Sequence, residues 1–392
     1  MSARSPRLSL IAICALALAA APAAAQSVQT NCRQAVLMDA ESHAFLYERG
    51  ADELASPASL AKIMTAEILF GLIKAGKVSL EDTYPISEYA WRTGGAPSRG
   101  STMFAQLNSR VRVEDLIRGL VIMSGNDAAI ALAEGIAGTE EAFGLMMTKR
   151  ARELGLRSST FTNPWGRSDP GQKVTMREMA LLSDHLIKTY PDLYRYFAEK
   201  DFTWNKITQA NRNPLLLSNI GADGLKTGNI DESGFAIVGS AVENNQRLIV
   251  ALNGCKTASE RSDDARKLLL WGFRSFEPRT IFAAGEVVGS ASVYGGSRSD
   301  APLVSEKPIK VFLPRGSGER ITARIVYDGP LVPPVKQGAT VARLKVMRGQ
   351  TLALDAPLTA AEDIGVGSLP RRAFDASLEL AGGLIRKHVF KK

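Results

Sequence analysis

SLAKIMTAEILFGLIKAGK, residues 59–77, decides the fold of this chain. Its apolar residues fall on nearly every side of a 3.6-residue period and Gly76 stops it, so it reads as a helix enclosed within a domain rather than laid on a surface. Ser59 and Lys62 stand at its start in an S-x-x-K pattern. At i, i+3 on a helix the hydroxyl and the amine share one face. A serine needs a base before it can attack an amide, and a desolvated lysine with a depressed pKa can take its proton. Alone, the pattern arises about once or twice by chance in a chain of this length, so it needs company.

Working outward, QAVLMDAESHAFLYE (34–48) reads as two short strands around a turn at residues 39–42. On the other side, VEDLIRGLVIM (113–123) and NDAAIALAEGI (126–136) read as helices joined at Ser124-Gly125-Asn126. Thr175 and Glu178 read as a capping box opening a further helix. After Asp223 the period changes: LKTGNI, GFAIVGSAV and RLIVALNG read as antiparallel strands, with turn residues at 243–246. SDDARKLLLWGFRSF, from near Ser262, closes the domain as a helix ending near Glu277. The expected class is α+β, an antiparallel sheet with helices packed on it, over residues 26–277. Residues 278–368 have another texture, short β-branched stretches (EVVGSASVY, IKVFLP, ITARIVY, TVARLKV, TLALDA) between Gly, Pro and Asp turns, and predict a small all-β domain.

The two ends differ from both domains. Arg4 and Arg7, an apolar run from Leu8 to Ala21 and Ala23-Ala24-Ala25 read as a cleaved secretory signal over residues 1–25, which predicts a periplasmic protein. At the other end Phe374, Leu378, Ala381, Ile385 and Val389 share one helical face, with Arg386, Lys387, Lys391 and Lys392 nearby. Residues 369–392 are therefore expected to be an amphipathic segment lying on the inner-membrane surface. The formal net charge of +8 is concentrated in these ends rather than in one patch, and with an export signal it argues against a nucleic-acid partner. Export leaves Cys32 and Cys255 in an oxidising compartment, where the sequence leaves open whether they pair.

Two further motifs keep Ser59 and Lys62 company. Ser124-Gly125-Asn126 on the interhelical joint supplies a hydroxyl to relay a proton and an amide to hold a peptide; Lys226-Thr227-Gly228 opens a strand whose edge can pair with an extended substrate. Each is weak alone, but together they fall in the order and contexts that one shared site requires: helix start, helix joint, edge strand. With PASLAKIMTA (57–66), LIRGLVIMSGNDAAIALAE (116–134), NRNPLLLSNIGADGLKTG (211–228) and LLLWGFRSF (268–276), the chain resembles the low-molecular-mass penicillin-binding proteins that are D-alanyl-D-alanine carboxypeptidases.

That resemblance implies a β-lactamase/transpeptidase-like domain, a substrate that is a peptidoglycan stem peptide ending in D-Ala-D-Ala, inhibition by β-lactams, and no cofactor or metal. It implies that Ser59 is acylated, that Lys62 is its general base, and that Ser124 and Asn126 handle proton relay and the substrate amide. Lys226, Thr227 and Gly228 would line the substrate strand, Arg212 would help hold the terminal carboxylate, and the backbone N–H groups of Ser59 and Asn229 would form the oxyanion hole. The family often has His-Thr after K-T-G, where this chain has Asn229-Ile230, which puts the deacylation rate in question. Alternatives sharing the motifs are a β-lactamase, a D,D-endopeptidase or a non-catalytic peptidoglycan-binding envelope protein. The first would need a glutamate within E-x-x-L-N, and the nearest match, Glu178-Met179-Ala180-Leu181-Leu182, lacks the Asn. Three histidines, His43, His185 and His388, with no zinc cluster and no G-x-S-x-G elbow, set aside metal and Ser-His-Asp chemistry.

Overall fold

The computed structural model describes residues 28–315, 321–348 and 351–373. The expected signal peptide and the amphipathic segment from residue 374 onward lie outside these residues.

β1 (Gln34–Asp39) and β2 (Phe45–Arg49) form the expected hairpin. The apolar stretch becomes α1 (Ala61–Lys74), entered through a 3-10 turn at Ala58–Leu60 that carries Ser59. A small ribbon, β3 (Thr83–Pro85) with β4 (Arg110–Arg112), precedes α2 (Val113–Val121), α3 (Asn126–Ala137), α4 (Glu140–Glu153), α5 (Met176–Thr189) and the short α6 (Pro191–Tyr194). A second ribbon, β5 (Asp201–Trp204) with β6 (Ile207–Ala210), leads to β7 (Ala222–Ile230), β8 (Gly234–Glu243), β9 (Gln246–Cys255) and α7 (Ala258–Ser275). The main sheet is antiparallel throughout, in the order β2-β1-β9-β8-β7, so the strand bearing Lys226-Thr227-Gly228 is an edge.

The sheet is covered on both faces. Val36 and Met38 face the core built from α1 to α5, whereas Ala35 and Leu37 face the core under α7 with Leu268 and Leu269. That is why 236–241 and 248–253 are buried continuously rather than on alternate residues, and read as near-unbroken runs of small and apolar residues. Ile63, Met64, Ile68, Leu69 and Phe70 of α1 are buried, each worth about 1.5–3 kcal/mol. Their combined gain is large enough to carry two ionisable groups, Lys62 and Glu67, out of water on the same helix. Glu67 is paired by Arg150 from α4 and by the Tyr190 hydroxyl.

Local signals are kept in part. Thr175 Oγ1 does accept from the Glu178 N–H, but the Glu178 carboxylate does not reach back to complete the box; it accepts instead from the N–H groups of Ser158 and Ser159 at 2.9 and 2.7 Å. α7 begins four residues earlier than expected, at Ala258, because Thr257 caps the Glu260 N–H while Glu260 accepts from Lys256 N.

Residues from Phe276 onward form the β-rich part. β10 (Phe276–Phe282) pairs with β13 (Ile309–Pro314), beside an antiparallel sheet ordered β11-β12-β16-β15-β14, made from Val287–Ser292, Asp300–Val304, Thr351–Ala360, Thr340–Arg348 and Ile321–Val326. Its core gathers Ala291, Leu303, Val311, Leu344, Val346 and Leu358.

Cys32 and Cys255 form a disulfide, closing the alternative the sequence left open. They flank β1 and β9 where Gln34 lies opposite Asn253, and the bond spans 223 positions of chain. Cross-linking so long a loop removes much of the unfolded chain's freedom. The variant carrying Cys32→Ser and Cys255→Ser is expected to lose about 2–4 kcal/mol of stability, read as a lower urea midpoint at unchanged slope.

Candidate active site

The turn that carries Ser59 is shaped by its surroundings. Ala58 has φ of 46°, and the loop at Gly166 presses on it so closely that a Cβ there would meet the Ala58 oxygen at 1.8 Å. Gly166 itself has φ of +91°, so this is one position where glycine is required twice over. From the other side the edge strand packs on the same turn: a Cβ at Gly228 would lie 3.2 Å from the Ala58 Cβ and the Pro57 oxygen. Ser59 is thus held between a loop and the edge strand.

Lys62, one turn on, is fully buried. Its Nζ donates to Ser59 Oγ at 3.1 Å, to Asn126 Oδ1 at 2.8 Å and to the Trp165 carbonyl at 2.7 Å. None of these acceptors is charged, so nothing compensates an ammonium fully. Burial first, then the positive charges of Lys226 and Arg212, push the amine well below the ordinary lysine value, and Asp127 opposes them weakly. An amine so placed gives up its proton more readily than an ordinary lysine and lies within hydrogen-bond reach of the Ser59 hydroxyl.

Ser124 occupies the joint between α2 and α3 with φ of 60°, and Asn126 begins α3. The joint is braced by Asp127, whose buried carboxylate accepts from Thr102 Oγ1 and from the N–H groups of Met103, Ala105 and Ala128. The same brace places Ser101, whose carbonyl accepts from Asn126 N and whose hydroxyl accepts from Arg212 Nη1 at 2.8 Å.

On β7, Lys226 is buried with its Nζ on the Thr227 carbonyl. Burial, then Arg212 and Arg261, lower it to about 7. Ser59, Ser124, Arg212, Thr227, Gly228 and Asn229 line one cavity of about 360 Å³, together with Ser101, Phe235 and Arg261. The structure therefore brings every residue singled out by the motifs to one place: Lys62 joins through its bond to Ser59, Asn126 through its bond to Lys62, and Lys226 sits between Leu225 and Thr227 of the lining strand.

Two contributors escape sequence reasoning. Trp165 acts through its carbonyl, and any residue type supplies a carbonyl. Its position is set by Glu140, which accepts from Trp165 Nε1 and from the Tyr89 hydroxyl, and by Asn163, which accepts from the N–H groups of Gly166 and Arg167. Arg261, in the first turn of α7, lies 5.8 Å over the Phe235 ring, with its Nε buried and unpartnered. A cation there opposes the helix dipole, a signal that the residue serves something other than its own helix. Among the described residues no carboxylate is bonded to Lys62, Lys226, Arg212 or Arg261, so the arginines lining the cavity are not paired with acidic side chains.

The remaining ionisable clusters do other work. His43 bonds Asp184, and His185 sits beside Glu67 under α1; no group of three or more His, Cys, Asp or Glu among the described residues could hold a metal ion.

A buried lysine on a serine at a helix start, a serine and asparagine at a helix joint and a cationic edge strand define an acyl-serine peptidase of the penicillin-binding type. Residues 20–257 match the family described as D-alanyl-D-alanine carboxypeptidase, and residues 276–366 match the C-terminal domain of penicillin-binding protein 5. The chain is 38% identical over 359 residues to the D-alanyl-D-alanine carboxypeptidase DacC of Escherichia coli, covering 90% of each. It is 36% identical over 351 residues to DacA of Haemophilus influenzae, covering 88% of each. Among solved structures, penicillin binding protein 5 from Haemophilus influenzae superimposes with a TM-score of 0.75 at 36% identity, over 86% of this chain and 99% of that one. Penicillin-binding protein D2 from Listeria monocytogenes, solved in its ampicillin-bound form, gives 0.55 at 29% identity over 63% of this chain and 99% of its own. The chain belongs to the D-alanyl-D-alanine carboxypeptidase family of low-molecular-mass penicillin-binding proteins, and is a serine-type carboxypeptidase.

Proposed function

We propose that Ser59 carries the acyl group in trimming the terminal D-alanine from peptidoglycan stem peptides. The observation that carries this reading is the contact of the buried, uncompensated Lys62 amine with Ser59 Oγ. Lys62 takes the hydroxyl proton as Oγ attacks the penultimate D-alanine carbonyl. The oxyanion is received by the N–H groups of Ser59 and Asn229; Ser124 relays the proton to the leaving amine, and free D-alanine departs. Water then cleaves the ester. β-Lactams enter the same step and stay as the acyl group.

The terminal carboxylate complements the arginines at this end of the cavity. Arg212 and Arg261 flank it and Thr227 offers a hydroxyl, with Lys226 behind. The strand that receives the extended peptide is β7, through its free edge. The test compares a pentapeptide ending in D-Ala-D-Ala with its C-terminal amide. Free D-alanine is expected from the acid, and Arg261→Ala is expected to cut kcat/KM on the acid by about 10- to 100-fold while sparing the amide. Equal loss on both substrates would remove Arg261 from carboxylate recognition.

The export signal and the basic amphipathic C-terminus support a periplasmic enzyme held peripherally on the inner membrane. No helix among the described residues is long and apolar enough to cross a membrane.

A further inference from the structure

Three segments of the β-rich part converge on one rim. Tyr294 N donates to the Leu331 carbonyl, Gly367 N to Gly295 and Ser297 N to Gly365, so the loop at 293–297 lies between the 330–334 loop and the 364–367 segment. Helical residues from 369 follow, with the Arg372 side chain against Gly295. Apolar side chains project from this rim into solvent: Val332 is 75% exposed, Val366 57% and Leu369 78%. Val332 is held by a proline-rich loop, Pro330, Pro333 and Pro334, which has little freedom to fold it away, and Val366 by its bridge to Gly296.

The charges around them are mixed and lean positive. Arg298 is paired by Glu362, while Lys336, Arg371 and Arg372 stand against Asp363 and Asp328, a surplus of one positive charge. Singly exposed apolar residues need no explanation, but three on adjoining segments, within a mixed border that leans basic, fit a lipid headgroup interface. The described residues end here, at 373, and the chain runs on into the stretch whose sequence is amphipathic and basic. Whatever surface that stretch meets, this rim is carried to it.

We propose that the rim is a second membrane contact, with Val332, Val366 and Leu369 entering the headgroup region alongside the C-terminal segment. This rests on the membrane reading above and adds a rigid element to it. Two contacts at one end would fix the tilt of the β-rich part on the surface, where a single terminal helix would leave it free to swivel.

The test uses the mature full-length chain and vesicles of phosphatidylcholine with phosphatidylglycerol, against phosphatidylcholine alone. The variant carrying Val332→Asp and Val366→Asp is expected to partition about tenfold more weakly, as two apolar side chains are withdrawn and two like charges meet the lipid. D-alanine release from a soluble pentapeptide should be unchanged and shows that the variant is folded. Val332→Leu should bind as the parent does. Partition of the aspartate variant equal to the parent's overturns the rim contact, and so does a parent dimer that the same variant converts to monomer without loss of vesicle binding. The C-terminal anchor fails separately, if a chain ending at residue 373 binds vesicles as the full chain does.

Discussion

Ser59→Ala is expected to stop D-alanine release, lowering kcat/KM by about 10⁵- to 10⁶-fold, the scale on which an acyl-serine nucleophile is lost. Nothing in the site replaces it. The other two acceptors of the Lys62 amine are an amide oxygen and a backbone carbonyl, neither a nucleophile. Ser124 lines the same cavity, but it sits on the far joint and makes no bond to Lys62. The change removes one hydroxyl from a turn held by Gly166 and Gly228, so stability should move by no more than about 1 kcal/mol. Mass spectrometry after exposure to penicillin checks the same atom: the parent should gain one adduct on the peptide containing Ser59, and the variant none. An adduct on the variant would sink the assignment.

Lys62→Met is expected to slow acylation by about 10³- to 10⁴-fold, the contribution of a positioned base. Its effect on stability is more revealing. The folded pKa of Lys62 lies well below 10.5, so between that value and 10.5 the unfolded chain binds a proton that the folded chain does not. Stability therefore rises with pH through that window, and the group penalises the native state below it. Lys226 adds a second such window, from about 7 to 10.5. Methionine removes the burial penalty of Lys62 but orphans Asn126 Oδ1 and the Trp165 carbonyl, at about 1–3 kcal/mol each. Net stability at neutral pH should change little, while the rise of the urea midpoint with pH becomes shallower by up to one proton, about 1.4 kcal/mol per pH unit. An unchanged slope would mean that Lys62 is not depressed. In the parent, acylation by penicillin should rise with pH as the amine loses its proton, and Arg212→Gln, by removing a positive neighbour, should move that limb to higher pH.

Sequence and structure agree on helices and strands where the chain follows one rule at a time. α1 has the apolar girth of an enclosed helix, and β8 and β9 are buried runs joined by a tight turn. α4 gives little sequence signal because its buried residues, Phe143, Gly144, Met147 and Ala151, are sparse among charges; Thr139, which caps the Ala142 N–H, is its one clear mark. β10 and β12 are obscured by Pro278 and Pro302, which lower the strand signal, yet both prolines sit within paired strands opposite Phe312 and Ser290. Glu178 has the spacing of a capping partner and is instead the anchor of Ser158 and Ser159, a role that depends on a segment about 20 residues away.

For the site, residue types and short-range spacing were enough to pick out Ser59, Lys62, Ser124, Asn126 and the Lys226 strand, because chemistry that needs a hydroxyl beside an amine on one helix turn writes itself into adjacent positions. Folding alone decided how strong that chemistry is. The Lys62 pKa is depressed through burial and through two cations from other elements, and its amine is fixed in place by a carbonyl from the Trp165 loop, none of them encoded near it in the chain. Arg261 enters the cavity from a helix that otherwise reads as an amphipathic cover, and Cys32 meets Cys255 only because β1 and β9 are neighbours. Dielectric, charge balance and backbone contacts are sums over everything within a few ångströms, and that neighbourhood exists only once the chain has folded.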